Sequence, residues 1–133
     1  MMENAKIVIV DDDQDIRDTL QMILEGKQYT VITAADKKDG MEKIKSEKPD
    51  LIMLDVMMSS PFDGLDMSRE LKKDSQLENT PILMLTGIKE QTGIPLKSTA
   101  GDPDWCPVDG FLYKPFEPET LLAEVEKLLS KKA

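Results

Sequence analysis

The chain has 133 residues, a length that suits one domain able to bury a core without disulfides or a structural metal. Its 17 Lys and Arg against 26 Asp and Glu leave a formal charge of -9, and with no basic block this argues against nucleic acid or an anionic membrane surface as a partner. No histidine is present and Cys106 is the single cysteine, so Ser-His-Asp catalysis, histidine metal sites, a histidine-borne phosphoryl group and an internal disulfide are all excluded.

The start, Met1 to Lys6, lacks a charged-then-apolar secretory pattern, and no apolar run is long enough to span a bilayer; a soluble, cytoplasmic chain is expected. Ile7 to Val10 reads as the first strand, a continuous apolar run that stops on Asp11, Asp12 and Asp13. Asp13 is suited to cap a helix whose apolar stripe is Ile16, Leu20, Ile23 and Leu24, with Gly26 at its end. Thr30 to Thr33 is β-branched and short, a second strand, after which Asp36 caps a helix carrying Met41 and Ile44. Gly40 is expected to weaken that helix, because glycine costs more backbone entropy than other residues.

Pro49 and Asp50 break the chain before the third strand, Leu51 to Asp55, which again ends on acid. A loop from Val56 to Phe62 leads to Asp63, expected to cap a helix bearing Leu65, Met67 and Leu71. Met57 and Met58 are read as core gap-fillers rather than a thioether metal site, since no cysteine or histidine neighbours them. Pro81 opens the fourth strand, Ile82 to Thr86. Between Gly87 and Gly110 glycines and prolines interrupt any helical period, leaving room for at most one short helix. Phe111 to Tyr113 is the fifth strand, and a closing helix starts near Pro118 with Leu121, Leu122, Val125, Leu128 and Leu129 as its stripe.

Strands alternating with helices give an α/β, doubly wound parallel sheet covered on both faces. In such sheets ligands sit outside the carboxyl ends of the strands, and Asp11, Asp55, Thr86 and Lys114 terminate four of the five. Carboxylates crowded there repel one another unless a cation lies among them, and oxygen-only ligands with room for water suit Mg²⁺. The bland alternative is a set of solvated acids at a strand end and a helix cap, with Lys114 an exposed strand-end lysine and Thr86 a β-branched strand terminus. Taken together the residues make a phosphoryl-handling site without a glycine-rich phosphate loop: Asp55 as nucleophile, Asp11 and Asp12 holding the metal, Lys114 and Thr86 contacting phosphoryl oxygens.

These residues resemble the receiver domain of two-component response regulators, over nearly the whole chain. The likeness rests on VDDD at Val10 to Asp13, LIMLDVMM at Leu51 to Met58, DG at Asp63 and Gly64, LMLTG at Leu83 to Gly87, and YKPF at Tyr113 to Phe116. It implies a flavodoxin-like (βα)5 fold, strand order 2-1-3-4-5, with residues 1–133 forming a single receiver domain. It further implies that Asp55 accepts a phosphoryl group from a sensor histidine kinase or histidine phosphotransfer protein, in a Mg²⁺-dependent reaction. By the same resemblance Asp11, Asp12, Asp55 and the backbone carbonyl of Met57 hold the ion, Thr86 and Lys114 are the switch hydroxyl and phosphate-pairing lysine, Phe111 is the switch aromatic, and the Lys114 to Pro115 peptide is cis.

Three departures from the family pattern stand out. The Asp55 to Gly64 loop is one residue longer than usual, and apolar Met57 and Ile88 stand where polar residues often guide the hydrolytic water, so slow loss of phosphate is expected. The breaker-rich stretch replaces a regular fourth helix, between strands four and five, with an irregular or shortened one, and Trp105 and Val108 are expected to supply its buried face. The expectation is thus a stand-alone regulator that signals to a downstream protein and is at most a slow enzyme on itself. Alternatives are a phosphorylation-independent pseudo-receiver acting as a binding module, and an aspartyl-nucleophile phosphoester hydrolase; the latter is disfavoured because Val56 and Met57, not a second acid, follow Asp55.

Overall fold

Two stretches of chain that begin apolar and end acidic, seven to eleven and 51 to 55, lie side by side at the centre of a five-stranded sheet. The computed structural model describes residues 5–55, 63–87, 108–114 and 117–132. Its strands are β1 (Lys6–Val10), β2 (Thr30–Ala34), β3 (Leu51–Asp55), β4 (Ile82–Gly87) and β5 (Gly110–Lys114). All pairings are parallel, in the order β2-β1-β3-β4-β5, which is the flavodoxin-like order expected. The helices among the described residues are α1 (Gln14–Glu25), α2 (Lys37–Glu47), α3 (Asp63–Lys72) and the closing helix, α4 (Pro118–Lys132).

Side chains alternate across a strand, and here both faces are apolar because both are covered. On one face Val8, Val10, Ile52, Leu54, Ile82 and Met84 pack with Met41 and Ile44 of α2 and Met67 and Leu71 of α3. On the other, Ile7, Ile9, Leu51, Met53, Leu83, Leu85 and Leu112 pack with Leu20 and Leu24 of α1 and Leu121, Val125, Leu128 and Leu129 of α4. Every residue of β3 is buried, as a central strand requires, whereas β2 lies at the sheet edge and is half-exposed along most of its length.

Local chemistry sets the helix ends. Asp13 caps α1 in extended backbone, its Oδ1 accepting from the Asp15 N–H at 2.9 Å and the Ile16 N–H at 3.4 Å. Asp36 caps α2 the same way, accepting from the Asp39 N–H at 2.8 Å. Helix α3 begins at Asp63, and the capping expected of the Asp63 side chain lies outside the described residues. Gly26 does close α1, but with right-handed φ of -62°, and the left-handed turn after the helix falls on Gln28 at φ 70°. A second non-glycine left-handed residue, Lys48 at φ 49°, ends α2.

Gly40 has a packing role beside its cost in helix propensity. It is buried in α2, and a Cβ there would lie 2.7 and 2.8 Å from the two Val10 methyls and 3.2 Å from Met67 Cε. Its missing side chain is what lets α2 approach β1, a packing gain that helix propensity does not register. The irregular or shortened helix expected between β4 and β5, and Trp105 with it, fall in residues 88–107, outside the described residues. Val108, at the end of that crossover, is buried among Met84, Leu71 and their neighbours, as expected of it.

Candidate functional site

The registers place the strand ends on one rim. Val10 pairs with Leu54, so Asp11 and Asp55, one step further on each strand, leave the sheet together. Asp55 pairs with Leu85, Thr86 with Tyr113, and Gly87 with Lys114, so the backbones of Thr86 and Lys114 end on the same carboxyl edge. The side chains of Thr86 and Lys114 lie outside the described residues, as do Met57, Ile88, Pro115 and the 56–62 loop, and with them the expected Met57 carbonyl ligand, the cis peptide and the longer loop.

Three carboxylates define the site. Asp11 is fully buried, Asp55 is 2% exposed, and Asp12 is exposed to solvent. One oxygen from each lies within 4.8 Å of the others. Apart from these two aspartates, the only buried polar residues among those described are Ser68 and Thr80. Burying two carboxylates side by side is what makes the position chemically unusual, since at an effective dielectric near 20 each pair of charges at that range repels by about 3–4 kcal/mol.

Backbone and helix chemistry aim the acids. The Asp11 N–H donates to the Ala34 carbonyl at 3.1 Å, extending the β1–β2 ladder by one bond. Its Oδ1 accepts from the Asp13 N–H at 2.9 Å, turning the chain toward α1. Asp12 therefore faces outward between a buried acid and a helix cap. Arg17, on the first turns of α1, donates from Nη1 to the Asp11 carbonyl oxygen at 2.7 Å. Arg17 belongs to no motif in the sequence; its one signal there is its position six residues past Asp11, near the start of the helix that follows the strand. Phe111 is half-buried and packs against the cluster that holds Met84 and Val108, on the α2–α3 face of the sheet.

The donor set fits a hard divalent cation. An octahedral Mg²⁺ holds oxygens at about 2.0–2.1 Å, so its ligand atoms stand about 3 Å apart when adjacent and about 4.2 Å when opposite, and three oxygens already within 4.8 Å of one another need close by at most about 2 Å to reach that spacing. Oxygen-only ligation, with Asp12 open to water, matches a magnesium shell that retains several waters better than it matches zinc.

Comparison with known proteins agrees with this geometry. A family model described as "Response regulator receiver domain" matches residues 7–126. The alkaline phosphatase synthesis transcriptional regulatory protein PhoP of Bacillus subtilis is 38% identical over 126 residues, 95% of this chain and 49% of that protein. The response regulator MprA of Mycobacterium ulcerans is 36% identical over 126 residues, 95% of this chain and 50% of its own length. Among solved structures, the Vibrio cholerae chemotaxis protein CheY4 superposes with a TM-score of 0.80 at 34% identity, covering 93% of this chain and 98% of that one. The chain thus spans about half the length of the curated relatives it matches and nearly the whole of the chemotaxis protein. The order of the strands, the three convergent aspartates and the match across residues 7–126 have one explanation: this chain belongs to the response regulator receiver domain family.

Proposed function

We propose that this receiver domain, a phosphoacceptor of two-component signalling, takes its phosphoryl group on Asp55, and that residues 1–133 act as one such domain. The observation that carries the reading is the buried Asp55 carboxylate at the end of β3, within 4.8 Å of the Asp11 and Asp12 carboxylates. Receiver domains bind Mg²⁺ at an acidic pocket, and here Asp11, Asp12 and Asp55 would hold it, with the Met57 carbonyl completing the protein's share. When bound, the ion neutralises charge on the phosphoryl oxygens. An Asp55 oxygen attacks phosphorus in line while the bond to the donor, a phosphohistidine nitrogen of a sensor kinase or phosphotransfer protein, breaks and the imidazole departs. Lys114 pairs with one phosphoryl oxygen and Thr86 donates to another. Neither requires a histidine, and the chain has none.

Output follows from the movement of Thr86 toward the phosphoryl group and of Phe111 after it, which changes the affinity of a surface for another protein. The half-buried setting of Phe111 supports this, because a ring at the margin of the core can exchange between two packings more readily than one at its centre. The charge of -9 supports a protein target, or onward relay of the phosphoryl group, over direct contact of this domain with nucleic acid or membrane. Loss of phosphate is slow, since Met57 and Ile88 cannot orient a hydrolytic water, and the chemistry is confined to the domain's own aspartate.

Incubation with Mg²⁺ and acetyl phosphate, followed by intact mass, tests the assignment. One phosphoryl adduct is expected on the native chain and none on Asp55→Asn. Persistence of the adduct in Asp55→Asn overturns Asp55 as acceptor, and absence of any adduct favours a phosphorylation-independent binding module.

A further inference from the structure

We infer that Arg17 is a positioning residue for the cation site: its guanidinium holds the Asp11 main chain so that the Asp11 carboxylate stays turned toward Asp55 and Asp12. The inference rests on the reading of Asp11, Asp12 and Asp55 as the Mg²⁺ site. Asp11 stands one residue beyond β1, where the strand's register with β2 ends at Val10↔Ala34. Three described contacts fix it there: its N–H to the Ala34 carbonyl at 3.1 Å, its Oδ1 from the Asp13 N–H at 2.9 Å, and its carbonyl from Arg17 Nη1 at 2.7 Å. The first is backbone to backbone and the second runs from a backbone N–H to the Asp11 carboxylate, so neither involves the side chain at 17. The third is a short, charge-assisted bond from a planar donor on a helix whose own start is capped by Asp13, so it ties the strand end to the helix frame. Partners that orient a metal ligand from outside the ligand set commonly alter affinity by tenfold or more when removed.

Charge and position predict opposite outcomes. As a nearby cation alone, Arg17 opposes Mg²⁺, and its removal tightens binding. As the clamp on Asp11, its removal lets the carboxylate turn and weakens binding.

The test is calorimetric titration of Mg²⁺ into the native chain, Arg17→Met, Arg17→Lys and Asp12→Asn. Arg17→Met keeps the apolar stem and loses only the guanidinium. Expected is a Kd about tenfold weaker in Arg17→Met at unchanged helical circular dichroism, with Arg17→Lys, which keeps charge and donor, recovering most of it. An unchanged or tighter Kd in Arg17→Met overturns the inference, as does its failure to fold, which assigns the guanidinium to the fold rather than the site. Equal weakening in Arg17→Lys and Arg17→Met overturns it as well, because a retained charge and donor at 17 would then make no difference to the site. A native chain that binds no Mg²⁺, or an Asp12→Asn variant that binds as tightly, instead overturns the underlying assignment of the site.

Discussion

Asp11, Asp12 and Asp13 are identical side chains in sequence, and the fold gives them three environments. Asp11 is sealed at the end of a central strand, Asp12 meets water, and Asp13 caps α1. The difference follows from the strand-to-helix turn, which rotates each successive residue to a new side within three positions. Gly40 is the corresponding case in the core. Ala is the better helix former by about 1 kcal/mol, yet its Cβ would press on the Val10 methyls, which are short, branched and fully buried. Overpacking of this kind costs about 1–3 kcal/mol and wins over propensity. Gly40→Ala is therefore expected to lower stability by up to about 2 kcal/mol in urea denaturation; a variant as stable as the native chain would show that α2 can retreat from β1 freely.

At the scale of elements, the sheet is held at its amino edge and its outer edge by long-range polar bonds. Lys43 of α2 donates to the Thr33 carbonyl at 2.6 Å, covering part of the edge strand β2 and blunting it as a template for pairing with another chain. Lys72, the last residue of α3, makes a junction of three pieces of chain: its Nζ donates to the carbonyls of Glu78 at 3.2 Å and Thr80 at 2.8 Å and to Asp109 Oδ2 at 3.2 Å. The same Asp109 oxygen accepts from the Ile82 N–H at 2.9 Å, so the lysine stabilises the entry to both β4 and β5. Its side chain is 19% exposed, with the bond to Thr80 part-buried and those to Glu78 and Asp109 open to solvent. Hydrogen bonds to charged groups contribute about 1.5–3 kcal/mol, and Lys72→Met is expected to lose about that much, with faster amide exchange in β4 and β5 than in β1. Uniform exchange across the sheet would remove Lys72 from this role.

For the molecule as a whole, the balance is between a net charge of -9 and a rim that buries two of its acids. A ligand of the native state stabilises it by mass action, so Mg²⁺ at a hundredfold its Kd adds about 2.7 kcal/mol. For a chain of this size that corresponds to a rise in Tm of about 5–10 °C, expected with Mg²⁺ and not with NaCl of equal ionic strength, and largely absent from Asp12→Asn. The NaCl arm separates a bound ion from general screening of the acidic surface.

The architecture was legible in the chain because its signals are local. Apolar runs of four or five residues, aspartates at 13 and 36, and a leucine and valine stripe at helical spacing each depend on neighbours within about four positions, and β1, β3, α1 and α4 form where those signals stand. The termination of β1 and β3 on acid, together with the parallel topology, also sufficed to bring Asp11 and Asp55 to one rim across 44 residues. Only the tertiary structure decided which helix lies on which face, that Gly40 meets Val10, that Lys72 reaches Asp109 and that Arg17 grips the Asp11 carbonyl. Those contacts depend on the register and closeness of elements far apart in sequence, and a distance of a few ångströms between them leaves no periodic trace in the order of residues.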